Sequence, residues 1–296
     1  MPSIQSQANK HHYAAAAARP PSADPRDTID YQDQRWTALT AEPGGVDYLE
    51  VDIAGTRALW VVPHGVDDGR VILYAHGGGF VSGSMYTHRK MVGHLAKAAG
   101  SRALVYDYAF AHEHKYPHQL DTTLAVYRWL AAQGVSAERI TVAADSAGAI
   151  LAIGLIQALR DRGERLPNGV ALISPWLDMT QSGETFQTNA AKDPMFSRDA
   201  VSWLASNFLG SVDRRDPRAS PLHAELTGFP PLCIQVGGDE TLLDESRMFA
   251  ARARAAGVPV ELEVFPEMLH SFQMMAGRAP EADDAIRKLA AWIRRR

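Results

Sequence analysis

The sequence has little cysteine, no excess of basic charge and no long apolar run. Cys233 is the only cysteine among the 296 residues, so no disulfide can form within the chain, and a reducing compartment fits this composition. Lys and Arg number 30 against 34 Asp and Glu. The resulting net charge of −4 argues against a nucleic-acid partner, which requires a basic surface.

Neither a membrane span nor a secretory signal is evident. The longest apolar stretch covers residues 150–156, far below the ~20 residues that a membrane-spanning helix needs. The alanine run at 14–18 is too short for the apolar region of a secretory signal. The sequence therefore predicts a cytoplasmic protein without a membrane span.

The composition and patterning are those of a globular α/β protein. Hydrophobic residues make up 46% and charged residues 22%, which provides enough apolar content for a sizeable core. Apolar and alternating runs predict strands at 46–53, 57–62, 71–75, 103–108, 140–144, 170–174, 231–236 and 260–265. Helices are predicted at 87–99, 120–133, 147–160, 197–209, 243–256 and 281–294. This alternation predicts a mostly parallel sheet covered by helices on both faces.

Two segments depart from the alternation and predict a division of the chain. Residues 1–44 are rich in Ala, Pro, Gln and Asp, which predicts one or two short helices with a break at Pro20 and Pro21. Residues 180–228 carry one helix in otherwise polar sequence and interrupt the run of strands. The core of the fold is therefore expected in residues 45–179 and 229–296.

The segment 144–148, Ala-Asp-Ser-Ala-Gly, lies where a buried strand is followed directly by a helix. A Gly-x-Ser-x-Gly elbow belongs at such a junction, because small neighbours let a sharp turn expose the serine hydroxyl. Ala144 replaces the first glycine, and alanine is the next smallest residue. The alternative is an ordinary helix cap, since Asp and Ser are both good N-cap residues.

A glycine-rich loop follows the predicted strand 71–75. His76 is followed by Gly77, Gly78 and Gly79, and three glycines allow backbone N–H groups to face a site without obstruction by side chains. Acyl-transfer enzymes use such amides, with the amide after the nucleophile, to bind the tetrahedral oxyanion. The alternative is a flexible turn, and neither of the two common phosphate-binding glycine motifs is present here.

A base and an acid follow the last two predicted strands. Asp239 and Glu240 come after the strand 231–236, and His270 comes after the strand 260–265. A serine nucleophile needs a base, and the base needs an acid that fixes its tautomer. The order of serine, acid and histidine is the order found in α/β-hydrolases, and all three lie beyond the carboxyl ends of strands.

These motifs resemble those of the bacterial hormone-sensitive-lipase-like esterases of the α/β-hydrolase fold. The matching segments are His-Gly-Gly-Gly at 76–79, Asp-Ser-Ala-Gly at 145–148, Ser-Pro-Trp-Leu-Asp at 174–178, the acidic segment 239–245, and 107–117, which is similar to the family's D-Y-R-L-A-P-E-H-x-F-P. Ala144, Ala109 and His112 depart from the family pattern, and the last two are expected to change local packing only. The resemblance implies a sheet of about eight strands and a helical cap built from 1–44 and 180–228.

The resemblance also supports a role for each site residue. Ser146 is expected to be the nucleophile and His270 the base, while the amides of Gly78, Gly79 and Ala147 form the oxyanion hole. The choice of the catalytic acid is less direct, because Asp239 and Glu240 are adjacent in the sequence. The family pattern is D-P-L-x-D with the first residue catalytic, and alignment on Leu242 and Asp244 places Glu240 at that position. Asp239 stays the alternative acid.

The predicted function is that of a serine carboxylic-ester hydrolase, which acts on small to medium esters through an acyl-enzyme and needs no cofactor. A lactone hydrolase with the same triad is the alternative. A non-catalytic receptor is a third reading, because gibberellin receptors resemble this family but lack the catalytic histidine, whereas His270 is present. No metal site is predicted, since His112, His114 and His118 match no recognised ligand pattern. A homodimer stays open.

The apolar residues expected to line the substrate pocket come from the glycine loop, the two cap segments and the loops around the site. They are Phe80, Trp176, Met195, Phe196, Trp203, Phe208 and Met268.

Overall fold

A mostly parallel sheet forms the centre of the protein. The computed structural model describes residues 1–18, 25–66 and 69–296. Within them eight strands form one sheet in the order β1-β2-β4-β3-β5-β6-β7-β8. The strands are β1 (Val46–Ile53), β2 (Thr56–Pro63), β3 (Val71–Ala75), β4 (Arg102–Tyr106), β5 (Ile140–Asp145), β6 (Gly169–Ile173), β7 (Leu232–Gly237) and β8 (Val260–Phe265). β1 and β2 are antiparallel, β2 is antiparallel to β4, and the remaining pairs are parallel. The predicted fold class is confirmed.

Helices cover both faces of this sheet. They are α1 (Ile4–Ala17), α2 (Pro25–Leu39), α3 (Met85–Ala99), α4 (His118–Ala132), α5 (Gly148–Asp161), α6 (Thr185–Thr188), α7 (Arg198–Leu209), α8 (Leu243–Ala255) and α9 (Pro280–Arg294). Every residue of β3 is buried, and its side chains alternate between two apolar clusters. Ile72 and Tyr74 pack on the side of α3 and α9, whereas Leu73 packs on the side of α4, α5 and α8.

Two boundaries near the site differ from those predicted, and both have local causes. Helix α3 begins at Met85 rather than at 87, because Ser84 caps it and exchanges hydrogen bonds with Thr87 in a capping box. Strand β4 ends at Tyr106 rather than at 108. The backbone amide of Asp107 still donates to the Arg57 carbonyl of β2 at 2.9 Å, and the pairing ends there, where the Asp107 carboxylate accepts a hydrogen bond from the Met85 amide at 2.7 Å.

The N-terminal segment packs on the α3 and α9 face, near the loop that follows β8. The hydroxyl of Thr40 donates to the carbonyl of Met274 at 2.5 Å, and the amide of Ala41 donates to Ala276 at 3.0 Å. Tyr13 of α1 is completely buried. The predicted break at residues 20–21 lies outside the described residues. In the insertion the structure adds the short helix α6, which the sequence did not predict, before α7.

Candidate active site

Ser146 lies at the sharp turn between β5 and α5. Its φ of 50° is in the left-handed region, which costs a serine about 1 kcal/mol. Its amide donates to the carbonyl of Ile173 at 3.0 Å and so ties the turn to the end of β6. A Cβ on Gly148 would lie 2.1 Å from the Ala75 carbonyl oxygen, so only glycine lets α5 begin this close to β3. The geometry is that of a nucleophile elbow.

The structure also explains the departure at residue 144 and excludes the capping alternative. Ala144 is buried within β5 and is not among the residues with positive φ, so an alanine Cβ is tolerated there. Neither Asp145 nor Ser146 caps α5: Ala147 holds the N-cap position and makes no side-chain cap bond.

The glycine loop requires its glycines. Gly78 and Gly79 have φ values of 119° and 63°, and a Cβ on Gly78 would lie 1.9 Å from the Ser82 carbonyl oxygen. Both residues line the cavity described below. Ala147 is fully buried and does not line it, but its amide lies at the start of α5, where N–H groups lack partners within the helix.

A buried polar network that no sequence motif indicates holds this loop. One oxygen of Asp145 accepts hydrogen bonds from the Gly77 amide at 2.9 Å and the Tyr74 hydroxyl at 3.0 Å, and it lies 3.4 Å from Nε2 of His88. Burial alone would raise the pKa of Asp145, but the charge and hydrogen bond of His88, together with the Tyr74 hydroxyl and His76, outweigh burial and hold that pKa below its usual value. Gly78 and Gly79 thus directly follow Gly77, whose amide is fixed by the carboxylate of Asp145.

The two candidate acids have different partners. Oε2 of Glu240 lies 3.0 Å from Nδ1 of His270, and both side chains are buried. Asp239 instead places Oδ2 2.8 Å from Nζ of Lys10 in α1, with Lys192 at 3.8 Å. The geometry therefore brings Glu240, and not Asp239, to the histidine.

His270 is held on its ring and on its backbone. The hydroxyl of Tyr13 donates to the His270 carbonyl at 2.6 Å, and the ring of Phe196 meets the imidazole edge-to-face with centroids 4.7 Å apart. Burial alone would lower the pKa of His270. The hydrogen bond and charge of Glu240, with smaller contributions from Asp193 and Asp145, outweigh burial and raise that pKa above the usual value.

Ser146, His270, Gly78 and Gly79 face one cavity of about 310 Å³. Part of its wall comes from the N-terminal segment, and another part comes from residues 180–228. The N-terminal segment contributes Ala17, Gln32 and Trp36, and the second segment contributes Met195, Phe196, Ala200, Val201, Trp203 and Leu204. Most of this wall is apolar, so the cavity suits a nonpolar group next to the serine.

Four of the seven apolar residues predicted to line the pocket do so: Trp176, Met195, Phe196 and Trp203. Phe80 and Phe208 do not, because their rings stack on each other with centroids 3.8 Å apart and are completely buried. Met268 also does not line the cavity, since it packs among the side chains of the α3 and α9 cluster. Proximity in sequence to the glycine loop and to His270 was a poor guide to exposure in the cavity.

Within residues 1–18, 25–66 and 69–296, no group of three or more His, Cys, Asp or Glu side chains is arranged to hold a metal ion. No helix in these ranges is both long enough and apolar enough to cross a bilayer.

Comparison with known proteins shows the family. A family profile described as alpha/beta hydrolase fold matches residues 72–274. An acetyl-hydrolase of Streptomyces hygroscopicus is 38% identical over 269 residues, which cover 91% of this chain and 88% of that protein.

Solved structures extend the match over the whole chain. The crystal structure of EstE5 soaked with p-nitrophenyl butyrate is 35% identical, has a TM-score of 0.91, and covers 99% of this chain and 98% of that one. An esterase from the bacterial hormone-sensitive lipase family is 39% identical with a TM-score of 0.96, and the match covers 100% of this chain and 99% of that one. Because sequence and fold agree over this length, the chain belongs to the bacterial hormone-sensitive lipase family of esterases, with the alpha/beta hydrolase fold.

Proposed function

We propose that this protein is a serine carboxylic-ester hydrolase with Ser146 as nucleophile, His270 as base and Glu240 as the acid. The observation that carries the proposal is the buried contact between His270 and Glu240, at the edge of a cavity that His270 and Ser146 both line. A receptor that only binds its ligand does not require a histidine base whose imidazole is held by a carboxylate. The same contact therefore favours an enzyme over a receptor.

The proposed reaction has two acyl-transfer steps. Oγ of Ser146 attacks the ester carbonyl while Nε2 of His270 accepts its proton, and Glu240 stabilises the imidazolium through Nδ1. The negative charge that develops on the carbonyl oxygen is bound by the amides of Gly78, Gly79 and Ala147. Each such donor is worth about 3 kcal/mol in the transition state. His270 then gives its proton to the departing alcohol, and water hydrolyses the acyl-enzyme by the reverse sequence.

The cavity supports small to medium substrates. Its volume of about 310 Å³ and its largely apolar wall suit a short acyl or alcohol chain better than a long lipid tail. The neighbour EstE5 was soaked with p-nitrophenyl butyrate, which makes p-nitrophenyl esters of this length a suitable first probe. Small lactones present the same carbonyl to the same triad and belong in the same assay.

We also propose a cytoplasmic location. Cys233 is buried and unpaired, so the described fold needs no oxidising compartment. Burial raises the pKa of this thiol to about 12, which keeps it in the unreactive protonated form.

The pH dependence of p-nitrophenyl butyrate hydrolysis tests both the activity and its base. His270 acts only when neutral, and Glu240 raises its pKa above the usual ~6.5. We therefore expect kcat/KM to climb from acid to mildly alkaline pH with an inflection above that value. The measurement is the initial rate from pH 5 to 9. Absence of turnover would overturn the proposed function, and a flat profile would contradict His270 as the base.

The N-terminal segment is proposed to form part of the cap, together with residues 180–228. Deletion of residues 1–40 removes Trp36 from the cavity wall and Tyr13 from the His270 carbonyl. We expect a changed chain-length preference and lower solubility, because an apolar surface is uncovered. Since the truncated chain can fail to fold, Trp36→Ala is the companion variant, and it should shift the preference toward longer acyl chains. Unchanged stability and chain-length preference in both variants would contradict this role.

A further inference from the structure

One short turn contacts the loops of all three proposed triad residues. It covers residues 173–176, from the last residue of β6 onward; we call it the β6 turn. Its backbone holds the serine, because the Ser146 amide donates to Ile173 at 3.0 Å and the Trp176 amide donates to the Ser146 carbonyl at 3.0 Å. The connection to the acid and the histidine runs through one side chain of the same turn, Ser174.

The hydroxyl of Ser174 connects the acid to the histidine loop. It donates to Oε1 of Glu240 at 2.6 Å and accepts from the amide of Ser271 at 2.9 Å. Ser271 directly follows His270. A hydroxyl has one proton to donate and lone pairs to accept, so this pattern uses both capacities of the group. The bond to Glu240 is of the strong type, because its acceptor is charged.

Ser174 is fixed in place and hidden from the substrate. It is completely buried and is not among the residues that line the cavity. Its own amide donates to the Gln235 carbonyl of β7 at 2.7 Å. Its φ of 44° is unfavourable for a residue other than glycine, so the surrounding structure must hold it there.

The remaining contacts of Glu240 show what this hydroxyl adds. Oε1 also accepts from the Gly237 amide, and Oε2 faces Nδ1 of His270. With a single backbone donor on Oε1, the orientation of the carboxylate about its bond to the side chain would depend on the contact with His270 itself. Two donors on Oε1 fix the plane of the carboxylate, and that plane directs Oε2 toward the imidazole.

We propose that Ser174 is a positioning residue of this esterase, whose hydroxyl holds the Glu240 carboxylate in the orientation that meets His270. The proposal rests on the proposed triad. It assigns Ser174 no contact with substrate and no share in proton transfer. The hydroxyl acts through Glu240 on the imidazole, and through the Ser271 amide on the loop that carries it.

The variants separate loss of the hydroxyl from relief of the backbone. Ser174→Ala removes the hydroxyl, and Ser174→Gly removes it while accepting the positive φ. The matched control is Ser246→Ala, because Ser246 is also completely buried and its hydroxyl has no partner among the described residues. We expect both Ser174 variants to lose about 10- to 100-fold in kcat, as for a hydrogen bond to a charged group, with little change in KM. The control should match wild type.

A second measurement does not depend on turnover. NMR detects the Nδ1 proton of His270, which is strongly deshielded when bonded to a carboxylate, and the imidazole titration gives the pKa of His270. Besides Glu240, the carboxylates of Asp193 and Asp145 contribute to that pKa, and neither is changed in the variants. In both Ser174 variants we expect the proton signal to move upfield or vanish and the pKa to fall.

The two measurements keep this proposal and the proposed function distinguishable. A wild-type protein that hydrolyses no ester overturns the proposed function, whereas the NMR comparison still decides on Ser174. If kcat, the Nδ1 proton and the pKa of His270 in both Ser174 variants equal those of the control, the positioning role is overturned. Recovery in Ser174→Gly alone also overturns it, since the backbone and not the hydroxyl would then be responsible.

Discussion

Ser146→Ala is expected to reduce kcat for p-nitrophenyl butyrate by roughly 10⁴-fold or more, because triad residues act as a unit and the remaining two cannot replace the nucleophile. The substitution removes one oxygen atom from the wall of the cavity, so substrate binding should change little. Steady-state kinetics of the purified variant measure the loss. Ordinary activity in a preparation free of other esterases would remove Ser146 from the mechanism.

The backbone at this position supplies a control for folding. Since φ of Ser146 is 50°, Ser146→Gly should be no less stable than Ser146→Ala and equally inactive. Thermal unfolding of both variants at wild-type temperatures would show that the loss is chemical. A variant that is inactive because it has unfolded would be recognised in the same measurement.

Glu240→Gln is expected to lower kcat by about 10⁴-fold, the size of the effect of removing the acid in a serine protease. The amide keeps the shape of the side chain but loses the charge that stabilises the imidazolium, and it favours the wrong tautomer of His270. The contact at stake is the 3.0 Å pair between Oε2 and Nδ1.

Asp239→Asn makes the same chemical change one residue earlier and is the matched control. Asp239 pairs with Lys10, whose side chain is 37% exposed, so solvent partly screens this ion pair. Asp239 also makes no hydrogen bond or ion pair with the imidazole of His270. We expect at most a modest loss of kcat. Both variants are assayed on one ester. A severe defect in Asp239→Asn beside a nearly normal Glu240→Gln would show that the acid had been assigned to the wrong carboxylate.

Patterns that are local in the sequence predicted most of the fold. Parallel strands buried on both faces appear in the sequence as short apolar runs, and a glycine commonly marks the end of a helix. For these reasons the bounds of β3, β5 and α5 were predicted almost to the residue. The errors have local causes of another kind. The start of α3 depends on the reciprocal bonds of Ser84 and Thr87, and serine and threonine are too common in loops to indicate a cap by themselves.

The candidate site was predictable where motif and strand end coincide, and less so where partners are distant in sequence. The register of Leu242 and Asp244 was enough to favour Glu240. No spacing rule could join Tyr74, His88 and Asp145, which come from β3, α3 and the end of β5 and meet only in the folded protein. Ser174 lies within the Ser-Pro-Trp-Leu-Asp motif, yet its partner Glu240 is 66 residues away, so the sequence alone did not indicate a role for its hydroxyl.

The hydrogen bonds from α1 determine when, during synthesis of the chain, this helix can dock. Lys10 meets a residue 229 positions later, and Tyr13 meets a carbonyl 257 positions later. Translation therefore produces this helix long before these partners exist, and Tyr13, completely buried in the fold, gains its hydrogen bond only after the loop beyond β8 has been made. His270 lies in that same loop, so the proposed triad is also incomplete until this part of the chain has been made.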